Sequence, residues 1–287
     1  MSQYRIYTDS ACDISAELLG EWNVKFIPLN FRFVGNDTLY SDNDISSKEF
    51  YAEMRAGKVA KTSAVNSETF VQAFEEELKQ GNDVLYLGFS SGLSNTFNAG
   101  RIATEQLSEK YPDRKIFAVD TLAASAGFGL LVRIACDKRD AGASIEEVAS
   151  FIEDNKLRLA HWFTVDDLVY LKRGGRISPT AAFVGNMLGI KPVLHVDNEG
   201  HLINMSKVRG RKTAIAALAE KIGELEADLN YPIFISHADC MPDIEYLCKL
   251  IKEKYGKDVT LINNIGAVIG AHSGPGTVAL FFLAKER

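Results

Sequence analysis

The chain reads VLYLGF at residues 84–89 and SSGLS at residues 90–94, and this stretch decides the fold class. The apolar run has no polar alternation, which is typical of a strand covered on both faces. A helical pattern follows at residues 94–111, and another strand candidate follows at residues 115–120. A strand, a helix and a second strand in this order predict a right-handed βαβ unit and an α/β fold.

The same alternation extends over the whole chain. Further strands are predicted at residues 4–8, 24–33, 160–165, 192–196, 201–207, 233–237, 259–263 and 278–283. Further helices are predicted at residues 67–80, 122–139, 144–155, 213–229 and 243–255. Residues 191–203 read as a β-hairpin with a polar turn that ends in glycine. We therefore expect two α/β domains, residues 1–157 and 158–287, with mainly parallel sheets flanked by helices and the hairpin in the second.

Composition narrows the function classes. The chain has 287 residues, 46% of them hydrophobic, and a net charge of −6, which argues against a nucleic-acid-binding protein. The four cysteines form no C-x-x-C pair and the histidines form no metal-binding pattern, so we expect reduced thiols and no metal. The N-terminus lacks a signal peptide, and no apolar run reaches the roughly 20 residues that span a bilayer. These features favour a soluble, cytoplasmic protein.

Small hydroxyl residues follow the strand at residues 84–89, where ligands of open parallel sheets bind. Three serines, Ser90, Ser91 and Ser94, precede a helix whose free N–H groups could hold an anionic oxygen. Capping of the helix by one serine is the simpler interpretation. The segment also matches G-x-S-x-G, so a serine hydrolase using Ser90 and His272 is an alternative.

Three other segments are candidates for chemistry. His272 lies among glycines at residues 270–277, where it could donate a hydrogen bond, bind a ligand or act as an acid or base, although a turn histidine bonded to backbone is the plainer interpretation. Residues 61–67 place small hydroxyl side chains before a helix. Residues 171–176 and 207–212 are basic clusters around glycine, and arginines held by such turns suit phosphate or carboxylate groups.

Taken together, these segments resemble the DegV family of bacterial fatty-acid-binding proteins, the lipid-carrying subunits of a fatty acid kinase system. The resemblance covers nearly the whole chain. It rests on TDSACD at residues 8–13, SSGLS at 90–94, LVYLKRGGRI at 168–177 and HSGPG at 272–276. The chain departs from the family's usual pattern at Ala64-Val65, where Gln-Pro is common, and at Asn95, where glycine is common.

The resemblance implies that the chain is not an enzyme by itself and uses no cofactor other than a bound long-chain fatty acid. Apolar tunnel lining is expected from residues 183–190, 265–269 and 281–283. The ligand-binding residues that it implies are Thr62, Ser63, Ser91, Ser94, His272, Ser273 and Gly274. The surface that it implies for an ATP-dependent kinase partner comprises Arg173, Arg176, Arg209 and Arg211. Transient membrane contact is compatible with this role, and a dihydroxyacetone-kinase-like enzyme is a further alternative.

Overall fold

The computed structural model describes residues 4–42, 44–178 and 189–287. The strands are β1 Tyr4–Asp9, β2 Val24–Ile27, β3 Asn30–Phe33, β4 Tyr40–Ser41, β5 Ala60–Ser63, β6 Asp83–Gly88, β7 Ile116–Asp120, β8 Leu159–Thr164, β9 Ile190–Val196, β10 Leu202–Arg209, β11 Phe234–His237, β12 Leu261–Asn264 and β13 Val278–Leu283. The helices are α1 Ala16–Glu21, α2 Ser47–Arg55, α3 Ser67–Lys79, α4 Thr96–Lys110, α5 Ser125–Asp140, α6 Ile145–Asn155, α7 Val169–Arg173, α8 Arg211–Glu224, α9 Met241–Tyr255 and α10 Ala267–Ser273. No helix within these ranges has both the length and the apolar content to cross a bilayer.

The first sheet confirms the α/β class. Its strand order is β2-β1-β6-β7, and every neighbouring pair runs parallel. The central strand β6 is buried along its whole length, because α3 and α4 pack on one face while α5 and α6 pack on the other. The βαβ unit predicted around residues 84–89 is therefore β6, α4 and β7.

The second sheet corrects the expectation of a mainly parallel C-terminal sheet. Its order is β10-β9-β8-β13-β11-β12, and of these pairs only β11 with β12 is parallel. The predicted hairpin is present as β9 and β10. Strands β8 and β13 are fully buried although they pair antiparallel, so their continuous apolar sequences indicated burial and not direction. The first sheet uses strands before residue 121 and the second uses strands after 158, and the boundary at residue 157 stays a prediction.

A small third sheet, β4-β3-β5, stands apart from the other two. The single strand predicted at residues 24–33 is in fact two strands, β2 in the first sheet and β3 in this one, and Pro28 and Leu29 between them belong to neither. Phe31 and Phe50 form an aromatic core with their neighbours, and this core packs on Ala271 of α10. This packing brings Thr62 of β5 against α10.

Candidate functional site

A mostly apolar cavity of about 280 Å³ is lined by strands of the second and third sheets, by residues of α10, and by residues of the segment 89–95, which follows strand β6 of the first sheet. This volume is close to the lower end of the range for small-molecule sites, roughly 300–1,000 Å³. Its apolar lining residues are Leu29, Ala64, Phe89, Leu93, Ala124, Phe163, Leu171, Val196, Leu202, Ile265, Val268, Ile269, Ala279 and Phe281. Of the lining expected from sequence, residues 265, 268, 269 and 281 are found there, and residues 183–188 lie outside the described part of the chain.

The polar end of the cavity centres on Thr62 and His272. Thr62 Oγ1 lies 2.8 Å from His272 Nε2, although the two residues are 210 positions apart. His272 Nδ1 is buried and has no hydrogen-bond partner within residues 4–42, 44–178 and 189–287. Burial lowers the pKa of His272 to about 4, and the nearby Arg176 charge acts in the same direction. The imidazole is therefore neutral at physiological pH and can donate only one hydrogen bond.

The remaining predicted hydroxyl groups divide into two sets. Ser63, Ser94 and Ser273 line the cavity. Ser94 Oγ lies 2.9 Å from Thr96 Oγ1 and accepts the Thr96 N–H at 3.2 Å. The N-cap residue of α4 is Asn95, which makes no side-chain capping hydrogen bond, so the simpler interpretation of a serine cap is wrong. Ser273 Oγ is buried and has no partner in the part of the chain that the structure describes, so it is available to a ligand. Ser91, in contrast, is exposed and does not line the cavity, and its N–H donates to Asp120.

Gly274 closes α10 instead of lining the cavity. Its φ is +80°, in the left-handed region that favours glycine. A Cβ atom at this position would come within 2.3 Å of the Tyr170 ring. Gly274 therefore supports the site by ending the helix directly after His272 and Ser273.

The serine-hydrolase alternative is not supported by the geometry. Ser90 is fully buried, and its hydroxyl donates to the carbonyl oxygen of Gly200 at 2.9 Å. His272 contacts Thr62 instead, and no hydrogen bond joins Ser90 to His272, both of which are described. A nucleophilic serine needs its base within hydrogen-bond reach, so this pair is wrong as a catalytic dyad. The apolar lining also gives a small polar substrate of the dihydroxyacetone type little to bind.

The four predicted arginines occupy different environments. Arg173 and Arg209 are exposed. Arg211 is committed to an ion pair with Asp243 at 2.8 Å and also donates to the carbonyl oxygen of Gly276. Arg176 lines the cavity, and its guanidinium donates to the carbonyl oxygens of Leu93 and Gly174. Of the four, Arg173 and Arg209 are thus exposed to solvent, whereas Arg176 belongs to the cavity.

Sequence reasoning missed His161 and Ser125, which line the apolar part of the cavity. Burial holds the pKa of His161 well below its usual range, and its ring packs edge-on against Phe281 at 5.4 Å. Ser125 donates to the carboxylate of Asp13, in the segment 8–13 that had no assigned role. Neither residue lies in a motif that would have indicated a cavity.

Comparisons with known proteins give the family and the fold. The profile of the DegV family, described as uncharacterised proteins, matches residues 3–285. A DegV domain-containing protein of Clostridium perfringens is 46% identical over 100% of this chain and 99% of its own length. A fatty acid-binding protein of Thermotoga maritima is 34% identical over 99% of this chain and 98% of its own. The structure of a stearic acid-binding protein from Eubacterium ventriosum superimposes with a TM-score of 0.88, at 28% identity and 99% coverage of both chains.

Proposed function

Because the chain belongs to the DegV family, we propose that it binds a long-chain fatty acid in the cavity and presents the carboxylate to an ATP-dependent kinase. The observation that carries this proposal is an apolar cavity with the Thr62–His272 pair at one end. Burial of roughly 15 methylenes is worth about 12 kcal/mol at most. Association and ordering costs take several kcal/mol of that, and tight binding is still expected. In this proposal the tail supplies most of the affinity.

The polar end supplies hydrogen bonds to the carboxylate. If His272 Nε2–H donates to Thr62 Oγ1, the Thr62 hydroxyl hydrogen is free to point at the ligand. Ser94 and Ser273 offer further hydroxyl groups. A buried carboxylate costs several kcal/mol unless it is hydrogen-bonded, so these donors favour a head group at this end over one among the apolar residues.

The orientation of the ligand follows from the solvent exposure of the residues that line the cavity. Ser63, Ala64 and Asn95 line the cavity and are also exposed, so the cavity reaches the surface beside Thr62. His161 and Phe281, in contrast, are 1% and 3% exposed. The carboxylate therefore faces outward and the tail inward, and a partner enzyme could reach the head group without removal of the lipid.

The chemistry itself would come from the kinase. A carboxylate oxygen would form a bond to the γ-phosphorus of ATP while the bond to the β,γ-bridging oxygen breaks, giving an acyl phosphate and ADP. Arg173 and Arg209, which are exposed, are the candidates for contact with the kinase or its phosphates. We place this reaction in the cytoplasm, with transient membrane contact for delivery of the lipid.

Fatty acid binding is tested by extraction of the purified protein and mass spectrometry of the extract. We expect about one fatty acid per chain, and delipidated protein should take up stearate to the same ratio. Protein without lipid that also fails to take up stearate would refute the proposal.

Kinase presentation is tested by trapping acyl phosphate with hydroxylamine after incubation of loaded protein with ATP and a fatty acid kinase subunit. Arg173→Ala and Arg209→Ala should lower the rate at unchanged lipid occupancy. Arg101→Ala is the matched control, since Arg101 is also exposed but pairs with Glu105 on α4. Equal rates for all three variants would remove these arginines from the partner surface, and no acyl phosphate with any kinase would reject the presentation role.

A further inference from the structure

Helix α10, which carries His272, is held at its start by two carboxylates from the N-terminal part of the chain. Asp13 Oδ1 accepts the N–H of Gly266 at 2.9 Å, and Asp42 Oδ1 accepts the N–H of Val268 at 3.1 Å. Both carboxylates are more than 220 positions away in the sequence, since the separations are 253 and 226. They therefore connect the N-terminal part of the chain to the helix that bears the imidazole.

The helix has little stability of its own. It contains 7 residues, and helices this short depend on tertiary contacts in water. No side chain of its own caps its N-terminus. Val268 precedes His272 by four residues, about one turn, so the contact of Asp42 with Val268 lies about 6 Å along the axis from the His272 backbone. A shift of the first turn would thus be transmitted to the imidazole.

The two acidic residues differ in what else they hold. Asp13 is 7% exposed. Its carboxylate also accepts a hydrogen bond from the Ser125 hydroxyl, and its backbone carbonyl oxygen accepts one from the Asn263 side-chain amide. Its loss would disturb the core between the sheets. Asp42 is only partly buried, and its second oxygen, Oδ2, is buried and makes no hydrogen bond of normal length to any described residue. Burial raises the pKa of the Asp42 carboxyl, and the Ser10 hydroxyl and the backbone of α10 act in the opposite direction. Asp42 therefore connects α10 to Ser10 and not to the core between the sheets, which makes it the better residue for a test.

We propose that Asp13 and Asp42 are positioning residues that set the place of His272 relative to Thr62 by fixing the start of α10. The proposal rests on the proposed function, because His272 matters only if it helps to hold the head group. Asp13, the acidic residue of segment 8–13 that contacts α10, would thus serve ligand retention and not folding alone, and the same holds for Asp42.

The test compares Asp42→Ala, Asp42→Asn and Asp44→Ala. Asparagine keeps a side-chain oxygen that accepts the Val268 N–H, whereas alanine does not. Asp44 is the matched control, because it is an exposed carboxylate two residues away that accepts the Ser41 N–H at 2.6 Å, and no hydrogen bond or ion pair joins it to α10, all of which is described. Loss of one hydrogen bond to a charged group predicts stearate dissociation about tenfold faster or more for Asp42→Ala. Asp42→Asn should stay within about threefold of the wild-type rate, and Asp44→Ala should be unchanged.

A second measurement separates positioning from general weakening and needs no lipid. In lipid-free protein, the imidazole NMR signals of His272 should titrate at a higher pH in Asp42→Ala than in wild type, where burial holds its pKa near 4. If the dissociation rates of the Ala and Asn variants are equal, or if the His272 titration does not move, the positioning role is wrong. If wild-type protein binds no stearate but the His272 titration still moves, the proposed function fails while the link from Asp42 to His272 stands.

Discussion

Thr62→Val is the substitution that most directly tests the polar end of the cavity. Valine has nearly the shape of threonine but no hydroxyl group, so the substitution removes the Oγ1 atom that lies 2.8 Å from His272 Nε2. Thr62 is partly buried at the end of the cavity, and we expect the fold to survive the change. The hydroxyl is the group that we expect to donate to the fatty acid carboxylate.

The size of the effect follows from the charge of that acceptor. A hydrogen bond to a charged group contributes about 1.5–3 kcal/mol, whereas one between neutral groups contributes about 1 kcal/mol. Each 1.4 kcal/mol corresponds to about a tenfold change in affinity. Stearate should therefore bind Thr62→Val about 10- to 150-fold more weakly than wild type. Stearyl alcohol, which has the same tail and no charge, should lose only about tenfold or less.

The assay is displacement of a fluorescent fatty acid by stearate or by stearyl alcohol, on wild type and variant in parallel. Thr213→Val serves as the control, because Thr213 is an exposed threonine on α8 that does not line the cavity. The reasoning fails if stearate and stearyl alcohol weaken by the same factor, since the hydroxyl would then act on packing and not on the carboxylate. It also fails if stearate affinity does not change.

Three further outcomes are expected. Ala279→Trp should fill the cavity that Ala279 lines, and overpacking of this kind typically costs about 1–3 kcal/mol. Mass spectrometry should then show that the delipidated variant takes up less than a tenth of the wild-type amount of stearate. Normal uptake would place the ligand elsewhere. Gly174→Ala should weaken stearate binding about tenfold or more, because the new Cβ would lie 2.2 Å from His272 Nδ1. Gly20→Ala is the control, since a Cβ at Gly20 would meet no described atom within 4 Å. The pKa of His272 is about 4 in the folded protein and about 6.5 in the unfolded chain. Between pH 6.5 and pH 4 the unfolded chain therefore binds more protons than the folded protein. The free energy of unfolding should drop by up to about 3 kcal/mol as the pH falls over that range. His272→Gln should lose this component in urea titrations, and identical pH profiles for the two proteins would contradict it.

Local sequence patterns predicted the elements whose residues interact with near neighbours. The unit β6–α4–β7 follows from one continuous apolar run, a helical stripe and a second run. The direction of the strands in the second sheet could not be predicted in this way, because β8 and β13 are buried on both faces whether their partners run parallel or antiparallel. Burial on both faces selects apolar residues for a strand, whereas the direction of the strand depends on the neighbours with which it pairs.

The two elements that build the polar end were not predicted from local patterns. Strand β5 is four residues long, and it exists because Phe31 of β3 pairs with Thr62. Helix α10 lies in a glycine-rich segment that reads as a loop, and the contacts that stabilise it come from Asp13, Asp42 and the Phe31–Phe50 core. The importance of Thr62 and His272 was implied by the family resemblance, whereas their contact depends on packing between distant parts of the chain.

The arginine closest to the polar end explains how a carboxylate could be held there and still react. Arg176 lines the cavity, but its guanidinium donates to two backbone carbonyl oxygens, and burial lowers its pKa. Its Nε and Nη1 groups are thus directed at the protein, and its charge would act on a bound carboxylate through space. A bidentate arginine pair would bind the carboxylate more strongly and would also occupy both oxygens. Neutral hydroxyl donors leave one carboxylate oxygen open to a phosphoryl group. We therefore expect transfer of the phosphoryl group to require weaker binding of the head group, and the buried tail compensates for the lost affinity.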